Sequence, residues 1–377
     1  MKVTVLRGRE RVGENLIEVT DGKTKILLEC GVALTPTPEG NLAEKQVTQT
    51  HYDGVIITHH HLDHSGLLRY PICAKAIYMG KITRDILLQD GGICQENRDK
   101  IRILQSETPF FIGAIEIIPH LCDHSAMDSY MLELNADERI LYTGDFRSSG
   151  RKSFFALLKR LPTNIDLLIT EGTNLGRGYL AETECTVEEK TVELCKKAKK
   201  VFVLQSRLNV DRTVTFYRAA KRSKRSFLQT LSSSAVCELT ENIPNPITFS
   251  DCYTYLSVGE SEEKHEQIFA RYGKKLLSKY QIARKRNIIM QVHSGMLGYF
   301  RELSKLCDLS GSLLVYSLWN GYEPKMREFL EGVSALGVEV VRLHASGHAD
   351  EKAINLLRKR VNAKREILVH CDIEGIS

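Results

Sequence analysis

Short apolar runs rich in Val and Ile recur through the first 170 residues, at 3–6, 16–19, 24–28, 54–57, 115–118, 131–134, 139–143 and 165–170. Runs of this kind predict β-strands, separated by turns such as Thr20-Asp21-Gly22-Lys23. Further along, apolar positions at helical spacing predict helices over 187–198, 211–220, 263–277, 299–306 and 323–336. Strands at 201–204, 287–292 and 312–316 alternate with them, which makes an α/β unit. A strand at 338–342, a helix at 350–360 and a strand at 367–370 follow. Breaks near 176–178 and 336–337 mark candidate linkers, and no internal repeat interrupts the pattern.

At 377 residues the chain is long enough for two domains with buried cores. Apolar residues at 42 % and charged residues at 26 % exclude disordered and fibrous classes. No apolar run approaches the ~18 residues of a membrane span. The opening MKVTVLRGRERVG lacks a signal-peptide core, so a cytoplasmic protein without a membrane partner is expected. The ten cysteines form no CxxC pair. They read as buried reduced thiols, with no disulfide-linked partner. Charge is uneven. Between Lys196 and Arg225 eleven basic residues face one acid, Asp211, giving +10 against −5 for the rest. Such a segment suggests a polyanion partner, weighed against a solvated helix face.

The densest chemistry lies in Thr58-His59-His60-His61-Leu62-Asp63-His64-Ser65-Gly66, directly after the strand at 54–57. His59, His61, Asp63 and His64 leave a strand at a spacing that aims several ligands at one point. Imidazole and carboxylate suit zinc and similar divalent ions. His124 follows the strand at 115–118, Asp145 ends another, and His348 and His370 lie near the C-terminus; together with the His59–His64 turn they supply enough ligands for two metals.

The order HHHLDHSG, DHS, TGDF resembles the metallo-β-lactamase fold. Glu171-Gly172-Thr173, Ser346-Gly347-His348 and His370 resemble the three further motifs of its β-CASP branch of nucleases, with ribonuclease J and related bacterial exonucleases the nearest likeness. The resemblance implies a four-layer αββα metallo-β-lactamase sandwich with an inserted α/β β-CASP domain. It sets residues 1–178 and 337–377 in the first domain and 179–336 in the insert. It implies that His59, His61 and His124 hold one divalent metal, and that Asp63, His64 and His370 hold the second. Asp145 would bridge them, with zinc preferred and manganese the alternative. His120 competes with His124 for the third-ligand role. His348 becomes the catalytic acid, Glu171 its orienting partner, and Asp63 a catalytic ligand.

Two metals can clamp a phosphodiester, and a positioned His can protonate the leaving sugar oxygen. The implied activity is 5′-to-3′ exonuclease cleavage of single-stranded RNA, leaving 5′-phosphate and 3′-hydroxyl. Ser206, Arg212 and Ser346 are the expected substrate contacts, and Trp319 is expected to pack in the core rather than stack on a base. Glu29-Cys30-Gly31 departs from the family's Asp-Cys-Gly turn. The ribonuclease J C-terminal domain has no counterpart in the seven residues after His370, so the resemblance leaves the oligomeric state unassigned. The alternatives are a DNA-directed β-CASP nuclease, a small-molecule metallo-hydrolase and a non-catalytic RNA-binding protein.

Overall fold

The computed structural model describes residues 1–34, 40–176, 182–240, 242–257 and 262–371. Contacts divide the chain into two compact units, Met1–Ala181 with Gly347–Ser377, and Glu182–Ser346.

In the first unit, Lys2–Arg7, Leu16–Thr20, Lys25–Leu28, Gly54–Ile56, Ile77–Met79 and Ile101–Ile103 form a six-stranded sheet in that order. The first three strands meander antiparallel, and the others add in parallel. A second six-stranded sheet runs Arg365–Val369, Leu167–Glu171, Arg139–Tyr142, Ser129–Asn135, Ile115–Cys122 and Phe110–Ile112. Period-two alternation decides the layers. Ile26 and Leu28 meet Ile140, Tyr142, Leu167 and Ile169 in a core between the sheets. Leu27 faces the other way, onto Val47 of helix Gly40–Gln49 and Leu87 of helix Lys81–Gln89. Leu141 and Leu168 pack outward onto Leu157 of helix Phe154–Arg160 and Ile354 and Leu357 of helix Glu351–Val361. The result is the αββα layering that the resemblance implies. Both helices of the first outer layer lie where the apolar pattern predicts only strands and turns.

The second unit is built on a seven-stranded parallel sheet, ordered Leu276–Leu277, Cys252–Tyr255, Ser226–Thr230, Ile288–Val292, Val201–Leu204, Ser312–Tyr316 and Val338–Arg342. Helices cover both faces. Phe300, Leu303, Phe329 and Val333 pack on one, and Val187, Phe216 and Ala220 on the other.

Two expectations need correction. Strand Val338–Arg342 pairs in parallel with Ser312–Tyr316, so it belongs to the second unit and not the first. Strand pairing, not the Leu336-Gly337 turn, decides which core it joins, and the boundary falls at 346/347. The helix expected over 263–277 is Glu262–Tyr272. It stops at Gly273, whose φ of 50° leaves the helical region, and Leu276–Leu277 pair as a strand. The other expected boundary, at 178/179, lies outside the described residues.

Candidate metal centre

Gly54–Ile56 is a buried central strand between two parallel neighbours, so the loop leaving its carboxyl end is held on both sides. Backbone bonds clamp it: Asn15 N–H donates to the Asp63 carbonyl (3.0 Å) and Cys30 N–H to that of His64 (2.7 Å). The loop packs so closely on Gly31 that a Cβ there would lie 1.8 Å from the Asp63 carbonyl oxygen.

The first cluster is His59, His61 and His124, whose donor atoms gather within 4.8 Å of one another. His59 Nε2 lies 3.1 Å from His61 Nδ1, and His124 Nε2 lies 3.2 Å from the same atom. Asp63, His64, Asp145 and His370 form the second cluster. His370 Nε2 is 3.0 Å from Asp63 Oδ2, and His64 Nε2 is 3.2 Å from Asp145 Oδ2. Asp145 Oδ2 stands between the clusters, 3.9 Å from His59 and 3.7 Å from His370.

The outward nitrogens fix which atom of each ring points in. Thr58 Oγ1 donates to Glu29 Oε1 (2.5 Å) and so can only accept from His59 Nδ1 (3.0 Å). That leaves His59 Nε2 a bare lone pair. Thr173 Oγ1 donates to the His370 carbonyl (3.1 Å) and accepts from His370 Nδ1 (2.8 Å), with the same effect. His124 Nδ1 donates to the Gly347 carbonyl (2.5 Å). His64 turns Nδ1 to within 3.2 Å of Glu29 Oε1. His61 alone presents Nδ1 inward. Partners of this kind set ligand tautomers in metal sites.

Electrostatics agree. Burial, with the neighbouring imidazoles, holds His59 and His124 well below the usual histidine range. Burial takes His61 to about 4, against the pull of Asp63 and Asp145. The first cluster is thus held neutral, as a metal needs, whereas at His64 burial is outweighed by Asp145, Glu29 and Asp63, which hold it well above the usual histidine range. Burial opposes ionisation of Asp145, but His370, His64 and His348 outweigh it and hold the carboxyl well below its normal value. Its Oδ1 is buried with no hydrogen-bond partner. Inward lone pairs and an orphaned carboxylate oxygen in a dry site fit divalent cations, and the chain is read as a divalent-metal binder.

Beside the clusters, His348 Nδ1 lies 3.0 Å from Glu171 Oε2 and 3.6 Å from Asp145 Oδ2. Glu171 is fully buried, and its other oxygen accepts from Phe146 N–H (2.9 Å) and Ala349 N–H (3.4 Å). Burial works against charge on His348, but Glu171 and Asp145 prevail and raise it to about 9. Asn174 pins the turn by donating to the Ala349 carbonyl (3.1 Å).

His120 lies elsewhere, between Glu107 (3.1 Å) and Glu133 (3.3 Å), so His124 is the histidine that joins the cluster. Glu29, Thr58 and Thr173 were missed as site residues. The signal for Glu29 was its place in the Glu-Cys-Gly departure, and Thr58 directly precedes His59.

The expected substrate contacts fare differently. Ser206 is exposed in the second unit, after strand Val201–Leu204. Ser346 is that unit's last residue. Arg212 is a correction: its fully buried guanidinium binds Glu184 through Nε (2.9 Å) and Nη2 (3.0 Å), and donates to the Ala345 carbonyl (2.9 Å). Its role is structural. The basic segment is also largely answered from within. Lys200 and Arg225 cap buried carbonyls, Arg218 and Arg222 pair with Glu188, Lys221 with Asp251 and Lys199 with Asp308. Trp319, expected in the core, is exposed.

Residues 24–204 match the family described as beta-lactamase superfamily domain. Transcription termination factor FttA of Methanothermobacter thermautotrophicus is 27 % identical over 220 residues, 51 % of this chain and 34 % of that protein. Ribonuclease J of Helicobacter pylori is 23 % identical over 228 residues, 53 % and 32 % of the two chains. A protein named Probable RNase MJ4, from Methanocaldococcus jannaschii, is 44 % identical over 188 residues, 43 % of each. The chain thus spans about a third to under half the length of these curated relatives. A solved protein of unknown function from Enterococcus faecalis V583 shares the fold, with a TM-score of 0.80 over 100 % of this chain and 95 % of that one at 19 % identity. No described helix is long and apolar enough to cross a membrane.

Proposed function

We propose, from the beta-lactamase superfamily domain that this chain carries, that the protein is a metal-dependent ribonuclease of the β-CASP type. Its substrate is single-stranded RNA, cut 5′ to 3′ to leave 5′-phosphate and 3′-hydroxyl ends. The relatives named for ribonuclease activity support the substrate class.

In this reading His59, His61 and His124 hold one divalent ion, Asp63, His64 and His370 the other, and Asp145 serves both. Zinc and manganese each suit this donor set. When bound, two such ions supply Lewis acidity to a phosphodiester.

The observation that carries the reading is the His348–Glu171 pair beside Asp145. Glu171 accepts a hydrogen bond from Nδ1–H and keeps the ring in one orientation, leaving Nε2–H as the mobile proton. Held by Glu171, His348 donates it to the 3′ oxygen as water adds to phosphorus and the P–O3′ bond breaks. Hydrolysis of a thioester, whose thiolate is a better leaving group than a sugar alkoxide, has less need of such a pair.

The test is a cleavage time course on matched single-stranded RNA and DNA, end-labelled and 5′-monophosphorylated, with manganese or zinc added. Mononucleotides released from the RNA 5′ end are expected. Loss of neither strand, in protein shown to hold two metals, would shift the reading to a small-molecule hydrolase or a silent binding protein.

A further inference from the structure

Trp319 is the chain's single tryptophan. Tryptophan is ordinarily well covered, yet 56 % of this one is exposed. It is not a loose side chain. It follows strand Ser312–Tyr316, at the carboxyl end of the parallel sheet, the end at which open α/β sheets bind ligands. The Tyr316 hydroxyl donates to the Trp319 carbonyl (2.9 Å). Tyr322 meets the indole edge-on, centroids 5.4 Å apart and planes at 90°. The ring also lies against Gly321, where a Cβ would come within 2.3 Å of Cη2 and Cζ3. The indole is therefore fixed in place with much of its surface open.

A cavity of about 560 Å³ begins at the next residue, lined in part by Asn320, Glu323, Arg327, Leu330, Val340 and Arg342. That is the size of a small-ligand site. Its lining combines an apolar floor, Leu330 and Val340, with the Asn320 amide, the Arg327 guanidinium and a Glu323–Arg342 ion pair.

We propose that Trp319 is a stacking platform for an unpaired nucleobase of single-stranded RNA, with the neighbouring nucleoside entering the adjoining cavity. The choice of ligand rests on the ribonuclease reading. The lining favours it over a protein partner. The Asn320 amide can pair with a base edge, the Arg327 guanidinium with phosphate, and the open indole accepts any base through its π-face.

The indole is its own reporter, since the chain has no other. A phosphorothioate single-stranded RNA decamer, fluorescently labelled, is titrated into the intact protein. Indole emission and oligonucleotide anisotropy are followed together. Saturable quenching that tracks the anisotropy is expected. Trp319→Leu should weaken binding about 5- to 150-fold, and Trp319→Phe should restore most of it. Binding without quenching, and equal in Trp319→Leu, would overturn the proposal even if the protein cleaves RNA. Quenching without cleavage would sustain it while sinking the ribonuclease reading. A self-association lost in Trp319→Leu, with no effect of RNA, would make the patch a protein interface and overturn it as well.

Discussion

Replacing Glu29 by Gln should weaken metal binding although Glu29 is not itself among the clustered ligands. Glu29 Oε1 accepts from Thr58 Oγ1 (2.5 Å) and the Tyr142 hydroxyl (3.1 Å), and Oε2 accepts from Thr58 N–H (3.1 Å). An amide can satisfy only part of this. With its nitrogen in the Oε2 position, it opposes the Thr58 N–H donor to donor, a buried mismatch of about 1–3 kcal/mol. With its nitrogen in the Oε1 position, the Thr58 hydroxyl must accept from it. The hydroxyl proton then turns to His59 Nδ1 and moves the ring proton to Nε2, the atom aimed into the site. Either arrangement also removes the carboxylate 3.2 Å from His64. Loss of supporting partners typically costs 10–100-fold in metal affinity, and about that is expected here. The assay is a competition titration against a chromophoric chelator, with urea unfolding of the metal-free protein alongside. Thr58→Val, which removes the relay to His59 but leaves Glu29 beside His64, should weaken one of the two equivalents. Glu29→Gln with unchanged affinity and an unchanged urea midpoint would refute the reasoning.

Three further outcomes follow from the same geometry. His348→Ala should keep its metal while slowing cleavage by about 10²–10⁴, and metal loss measured in that variant would make His348 a ligand instead. Arg212→Met should lower unfolding free energy by about 3–5 kcal/mol, because it breaks a buried ion pair, and leave the salt dependence of RNA binding unchanged. A reduced salt slope would return Arg212 to the substrate contacts. Burial opposes charge on His120, but Glu133 and Glu107 raise it above its unfolded value, about 6.5. Its contribution to stability is then complete below about pH 6.5 and fades as pH climbs through the raised folded value. His120→Gln should therefore lose most against wild type in acid and least in alkali, read from urea midpoints at pH 6 and pH 9. A gap that widens with pH would contradict this.

What could be read from the sequence was what local spacing encodes. The sandwich strands announce themselves by short Val- and Ile-rich runs, and the His59–His64 turn by its density. Ser226–Thr230 and Cys252–Tyr255 escape that pattern because Gln229, Thr230 and Thr254 place polar groups inside buried parallel strands, where the Thr254 hydroxyl donates to the Gln229 carbonyl, the Gln229 amide to the Pro244 carbonyl, and Thr230 caps the following helix. The charge of the basic segment misled for a related reason. Its partners, Glu184, Glu188, Asp251 and Asp308, lie outside it in the chain, and only folding brings them back. His348 and His370 stand far in sequence from His59, and only a family pattern linked them beforehand. Glu29 looked like a departure from that pattern. Its longer side chain nonetheless reaches Thr58, Tyr142 and His64 from a backbone at φ 67°.

The order in which the ribosome makes these pieces differs from the order in which they pack. The second unit is spelled out between residues 182 and 346, inside the first. His348, helix Glu351–Val361 and strand Arg365–Val369 emerge only afterwards, and His370 later still. That strand forms one edge of the second sheet, and the His370 N–H then bonds to the carbonyl of Gly8, 362 residues upstream. A nascent chain short of residue 370 has a complete second unit but lacks one side of its His–Asp cluster. For a protein read as cutting RNA, this delays completion of the His–Asp cluster until residue 370 has been added, so any shorter nascent chain lacks the assembled site.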